Sequence, residues 1–164
     1  MTISLPAFSL LATLTVASSA LAADGPPTAE VLGKVHRSNL KEIEMGKMAR
    51  AHGKAKDVKV FGQTLVTDHT AGDKKVVQLA KEEKIDLATS TPAATKDDKM
   101  PMGDGFDVAF ANSMLADHKK DIEAVKAARD ATQDQKLKSL LEDLLPVLEK
   151  HREISEKLVN GAKS

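Results

Sequence analysis

Cysteine, tryptophan and tyrosine are absent from this 164-residue chain, and phenylalanine occurs only four times. Without cysteine there is no disulfide to staple a small core, no thiolate metal site, no covalent c-type haem and no cysteine nucleophile. Stability must therefore come from packing. Scarce aromatics beside abundant Ala, Leu, Lys and Glu favour helix over strand. A surplus of either charge is also missing, since Lys plus Arg and Asp plus Glu number 24 each and are interspersed. Nothing in this balance attracts nucleic acid or an anionic membrane surface. Gly-rich phosphate loops, nucleophile elbows and serine-triad patterns are lacking too, so no motif names a reaction and the chain reads as a binding or structural protein before it reads as an enzyme.

The one long apolar run lies at the start. Met1 to Ala22 carry no charged side chain, are apolar from Leu5 to Val16, and end in Ala20-Leu21-Ala22. Small residues at that spacing form an A-x-A cleavage site, which places a cleavable signal peptide over 1–22, the mature start at Ala23 and the protein in the periplasm or outside the cell. The run is short for a membrane span of roughly 20 residues, and it departs from the usual leader in having no Lys or Arg near its start. No membrane span is expected in the mature chain, and without a cysteine no lipid anchor is available.

What remains, 23–164, suits one domain by length. Four segments carry a helical period, roughly 28–52, 57–83, 105–129 and 133–160. Asp57 is the expected N-cap of the second, and Thr132 with Gln135 makes a capping box for the fourth. Short links make the first pair and the last pair antiparallel neighbours. Between the pairs, 85–104 holds Thr89-Ser90-Thr91-Pro92 and Met100-Pro101-Met102-Gly103, a long polar crossover. The expected architecture is all-α, an antiparallel four-helix bundle with one long middle connection.

A nine-residue pattern occurs twice, Phe61 to His69 and Phe110 to His118, each ending Asp-His. Heptad counting places the histidines, rather than the aspartates before them, on the inward stripe. The second helix gives Val58, Gly62, Leu65, His69, Gly72, Val76 and Leu79; the third gives Ala111, Met114, His118, Ile122 and Val125. The fourth gives Leu137, Leu144, Leu148, His151, Ser155 and Leu158. On the first, Val35, Asn39, Glu42, Gly46 and Ala49 face in, while Glu44 lies about 200° round from Glu42 and faces out. Each helix thus contributes one ionisable residue to the interior. At about 1.5 Å per residue Glu42, His69 and His118 share one level, and His151 falls roughly 8 Å from it. His36 and His52 lie off the stripes and are expected to face solvent.

A buried carboxylate and three buried imidazoles need partners. They can satisfy one another as a hydrogen-bonded network that only fixes helix register, or they can surround one transition-metal ion such as Zn, Fe or Cu. Asp73, one turn beyond His69, and Asp121, nearly one turn beyond His118, are candidates to join such a site or to orient its rings. Met100 and Met102 beside Asp97, Asp98 and Asp104 have donors for Cu(I), but a long polar connection of this kind is better read as a loop with a few exposed methionines.

Asn39 to Ala49, Phe61 to His69, Phe106-Asp107 with Met114 to His118, and Leu145 to His151 together resemble the successive blocks of the ferritin-like domain-of-unknown-function family 4142. The resemblance covers nearly all of 23–164 in order, and Glu42, His69, His118 and His151 match its blocks. It implies a ferritin-like four-helix bundle in an exported bacterial protein, and carries no reaction, no protein partner and no oligomeric state, although a homo-oligomer is compatible with it. The di-iron centre of ferritin-like folds needs Glu-x-x-His on two helices. No Glu stands three residues before any of the five histidines, so a mononuclear His-rich site suits the chain better. Pro146, inside the fourth helical period, lacks an amide donor and is expected to bend that helix near His151.

Overall fold

Residues 25–87 and 100–161 are described by the computed structural model; the expected leader with its cleavage after Ala22, and the middle of the expected crossover, lie outside them. The helical periods become α1 (Thr28–His52), α2 (Lys56–Glu82), α3 (Phe106–Ala131) and α4 (Gln135–Gly161), with a 3-10 turn at Gly103–Gly105 leading into α3. No strand occurs among the described residues, and the fold is an all-α four-helix bundle. None of the described helices is long and apolar enough to cross a membrane.

The helix ends differ from the expected caps. Asp57 lies in the first turn of α2, not at its cap, which is Ala55. The exposed amides of Lys54 and Ala55 instead donate to the Asp107 carboxylate at 3.0 and 2.7 Å, so that α1, α2 and the start of α3 are tied at one point. At α4 the capping residue is Asp134 and not Thr132. Its Oδ1 accepts from the amides of Lys136 and Leu137, while the Thr132 hydroxyl accepts from the Asp134 amide. A carboxylate carries full negative charge toward the unpaired amides of a helix start, which is why it wins over the neighbouring hydroxyl.

These contacts also set the topology. The Thr28 hydroxyl donates to Asp134, and Lys136 pairs with Glu83 at 2.7 Å, so α1 and α4 begin at the end where α2 finishes. At the other end Lys54 pairs with Asp104, and the rings of His52 and Phe106 lie 6.0 Å apart. Consequently α2 and α3 run in the same direction, and the chain between them must travel the length of a helix, about 40 Å at 1.5 Å per residue. The crossover is long because the topology demands it.

Along the bundle axis the core falls into two apolar clusters. One is aliphatic and includes Leu32, Val76, Leu79, Ile122, Leu137, Leu141 and Leu148. The other holds Met45, Leu65, Met114 and the three phenylalanines Phe61, Phe106 and Phe110. In this half α1 and α2 touch backbone to backbone: a Cβ on Gly46 would lie 2.6 Å from the Gly62 carbonyl oxygen, and one on Gly62 would lie 2.7 Å from that of Gly46. Glycine is required at both places by the close approach. The inward polar residues lie between the two clusters.

Candidate metal centre

Glu42 on α1, His69 on α2, His118 on α3 and His151 on α4 are all buried, at 2%, 3%, 0% and 0% exposure. The structure brings the four together. The His69 ring centroid lies 5.9 Å from that of His118 and 5.1 Å from that of His151, and the last two lie 5.2 Å apart. One ring nitrogen of each lies within 4.8 Å of the others. Glu42 Oε2 stands 3.8 Å from His69 Nε2 and 3.9 Å from His118 Nε2, beyond hydrogen-bond length.

His151 is therefore level with the others and not displaced along the axis. Two effects close the expected gap. Helix α3 ends at Ala131 and α4 begins at Gln135, each two residues later than the periodicity indicated, which cuts the offset to about 4.5 Å. Cβ bonds lean toward the start of their own helix, and because α3 and α4 are antiparallel the two side chains lean toward one another. Pro146 sits exposed within α4, and the helix runs on past it to Gly161.

The outer nitrogen of each ring is held by an acceptor. His118 Nδ1 donates to the Met114 carbonyl oxygen at 2.8 Å, His69 Nδ1 to Asn39 Oδ1 at 2.9 Å, and His151 Nε2 to Asp68 Oδ2 at 2.9 Å. A neutral imidazole has one N–H, and these acceptors claim it. The lone pairs then sit on His69 Nε2, His118 Nε2 and His151 Nδ1, none of which has a hydrogen-bond partner among the described residues. Burial holds the rings neutral. It lowers His69 to about 3, helped by the neighbouring His151 and His118 and opposed by Asp68. Burial also lowers His118, against the pull of the Met114 carbonyl and of Asp121 and Asp117. His151 falls to about 4, again through burial, which outweighs its bond to Asp68.

The chain belongs to the DUF4142 family: the model of this domain of unknown function matches residues 12–158. No curated protein and no solved structure matches the chain significantly. The family carries no reaction with it, so the chemistry must be read from the site.

Two candidates for the site are placed elsewhere. Asp73 accepts from His36 Nδ1 at 2.7 Å on the outer side of the α1–α2 pair, which also leaves His36 partly covered instead of facing solvent. Asp121 accepts from the Ser38 hydroxyl and contributes to the cluster only as a nearby charge. The residues that orient the rings are Asn39 and Asp68. Asn39 was on the inward stripe, one turn from Glu42, and that position is the signal for its role. Asp68 lies 100° round α2 from His69 and reaches His151 across the interface with α4, a pairing that only the helix arrangement reveals. The second copy of the repeat does not reproduce it, since Asp117 binds Lys41 at 2.9 Å. His52 is exposed as expected. On the phenylalanine side, Phe61 packs 5.8 Å from the His151 ring and 6.5 Å from that of His118, closing the cluster from below.

Proposed function

We propose that this protein is an exported helical bundle that binds one divalent transition-metal ion, with His69, His118, His151 and Glu42 as ligands, and that it serves metal handling or protection in the cell envelope. The observation that carries this reading is the convergence of three buried imidazole lone pairs whose N–H groups are all engaged outward. A purely hydrogen-bonded core would need inward donors, and neutral rings held in these tautomers have none to offer. A cation satisfies three lone pairs and a carboxylate at once, and the acceptor on each outer nitrogen is the support that ligating histidines receive in metal sites. Nitrogen and oxygen donors without thiolate suit Zn(II), Fe(II) or Cu(II). Ligands at about 2.1 Å in a tetrahedron stand about 3.4 Å apart, so the three imidazole nitrogens, within 4.8 Å of one another, need move inward by less than about 1 Å each, while Glu42 Oε2 approaches from 3.8 Å off His69 and 3.9 Å off His118. The export part of the reading rests on the leader pattern of Met1 to Ala22.

Metal content of untagged protein, followed by titration of the chelator-treated form with Zn(II), Cu(II) and Fe(II), tests it. One equivalent is expected, lost in His69→Ala and kept in His36→Ala. Protein that arrives without metal and binds none of the three more tightly than millimolar overturns the reading. In that event His69→Leu or His118→Leu should raise Tm, because the cluster would then be a costly polar core that sets helix register in an envelope structural or interaction protein.

A further inference from the structure

His69 Nε2, His118 Nε2, His151 Nδ1 and Glu42 Oε2 are all shut away from solvent, so an ion can reach them only after a side chain of the cluster moves. The anchors of the three rings decide which. His118 is tied to the Met114 carbonyl of its own helix and packs against Phe61, and His69 is tied to Asn39, which is buried and uncharged. His151 is the exception: its outer nitrogen is held by Asp68, a charged side chain that is 26% exposed.

Asp68 is placed to take a cation before the cluster does. Its bonds to His151 Nε2 at 2.9 Å and to Lys150 Nζ at 3.4 Å both fall on Oδ2, which leaves Oδ1 without a hydrogen bond among the described residues. A divalent ion drawn to this carboxylate competes with both donors, so its arrival releases the His151 ring. Room for that ring is at hand. Side chains on a helix lean toward its start, so the ring lies over the turn of Val147 and Leu148, and both line a cavity of about 690 Å³ that also reaches Asp68 and Lys150.

We infer that Asp68 is the outer loading site of the metal centre and His151 its gate: a divalent transition-metal ion is captured on the Asp68 carboxylate at the α2–α4 interface, the freed His151 ring swings aside, and the ion passes to the inner nitrogens. The ring then returns, with Nδ1 toward the ion and Nε2 donating again to Asp68. No proton has to leave, since all three neutral rings already hold their N–H outward. Lys150 competes with the incoming ion for Asp68 and so favours the shut gate. This rests on the proposed metal site and adds the route by which it fills.

Stopped-flow mixing of chelator-treated protein with Co(II), whose visible absorption reports entry into a nitrogen and oxygen site, measures the rate of loading, and a chase with excess chelator measures release. In Asp68→Asn, which keeps an oxygen for His151 but removes the charge, association is expected to slow about tenfold, and in Lys150→Ala to quicken about threefold. Asp121→Asn removes the same charge on the α1–α3 side of the cavity, beside Ser38, and should leave the rate within about twofold. Unchanged association in Asp68→Asn, with affinity lost only through faster release, is the mark of a purely orienting role and overturns the inference. So does slower or unchanged loading of Lys150→Ala, or equal slowing in Asp121→Asn. Should Asp68→Asn fail to fold, Lys150→Ala decides alone. Wild-type protein that takes up no ion overturns the metal reading and the gate together, whereas one equivalent taken up at rates the substitutions do not alter overturns the gate alone.

Discussion

The two halves of the bundle are built on opposite uses of small residues. In the phenylalanine half, glycine brings α1 and α2 into backbone contact and large rings fill what remains; Phe61, Phe106 and Phe110 are at most 1% exposed. In the leucine half, Gly72 admits the end of Leu144, whose Cδ2 lies 3.2 Å from the place of a Cβ, and a cavity of about 690 Å³ remains beside the alanines of α3. A missing side chain therefore draws in a backbone in one half and a side-chain end in the other, and only the second contact can give way by a rotamer shift. The histidine cluster lies on the seam, sealed by Phe61 on one side and bordering the cavity on the other.

Truncation on the two sides should break this comparison most visibly. Phe61→Ala opens a hole in the sealed half and should cost about 3–5 kcal/mol in urea unfolding, while Leu144→Ala, already beside open space, should fall near the low end of the about 2–5 kcal/mol range for such changes. Similar losses would mean that the halves pack alike.

Acidification addresses the seam itself. His69 and His151 are depressed to about 3 and about 4 in the folded protein, against about 6.5 when unfolded, so between these values the unfolded chain binds more protons. Their neutral burial is fully compatible with folding above about pH 6.5, and stability is lost as pH falls below it toward the folded values. The metal-free protein should lose about 3 kcal/mol between pH 8 and pH 5.5 from these two rings. Asp68, which burial opposes but its bond to His151 and the nearby Lys150 hold below the usual carboxylate range, adds a further loss only at lower pH. A metal-loaded sample should hold its Tm until the ligands are stripped, and identical acid melts with and without chelator would contradict a filled site.

The glycines offer the most direct contrast. Gly46→Ala or Gly62→Ala drives a methyl into a carbonyl oxygen across the helix pair and should destabilise by about 1–3 kcal/mol. Gly72→Ala meets the flexible end of Leu144 at 3.2 Å and the Asn39 amide at 3.8 and 3.9 Å; with Leu144 yielding by rotation, helix propensity should stabilise the variant by roughly 0.5–1 kcal/mol. Thermal melts of the three variants suffice, and a destabilising Gly72→Ala would show that the leucine half is tighter than its cavity implies.

The smallest expected effect separates the two aspartates of α2. Asp68→Asn removes the carboxylate that orients His151 and should weaken Zn(II) binding by about tenfold, the low end for a residue supporting a ligand. Asp73→Asn touches only His36 and should leave the affinity within about twofold. Equal effects would place Asp73 back in the site.

Periodicity alone located the four helices to within two residues and put Glu42, His69, His118 and His151 inside, because a 3.6-residue repeat of apolar positions leaves little freedom about which face is buried. It misplaced caps at Asp57 and Thr132, since the choice among neighbouring Asp and Thr depends on which amide points where. It also chose Asp73 and Asp121 as supporting residues by counting one turn along the same helix, whereas the histidines take their acceptors from Asn39 and Asp68 on other helices and from the Met114 carbonyl. Interactions within a helix follow from spacing; those between helices depend on rotation and height, which spacing along one chain segment does not contain.

The amino-acid sequence by itself thus determined an all-α bundle, membership of the family and an interior carrying one ionisable residue from each helix, all consequences of composition and a local repeat. Tertiary structure alone decided that His151 stands level with the others, which ring nitrogens point inward, and that Gly46 and Gly62 each meet a backbone while Gly72 meets the end of Leu144. Those are properties of surfaces meeting in space, and a glycine has the same sequence letter whether a backbone or a side-chain end moves in against it.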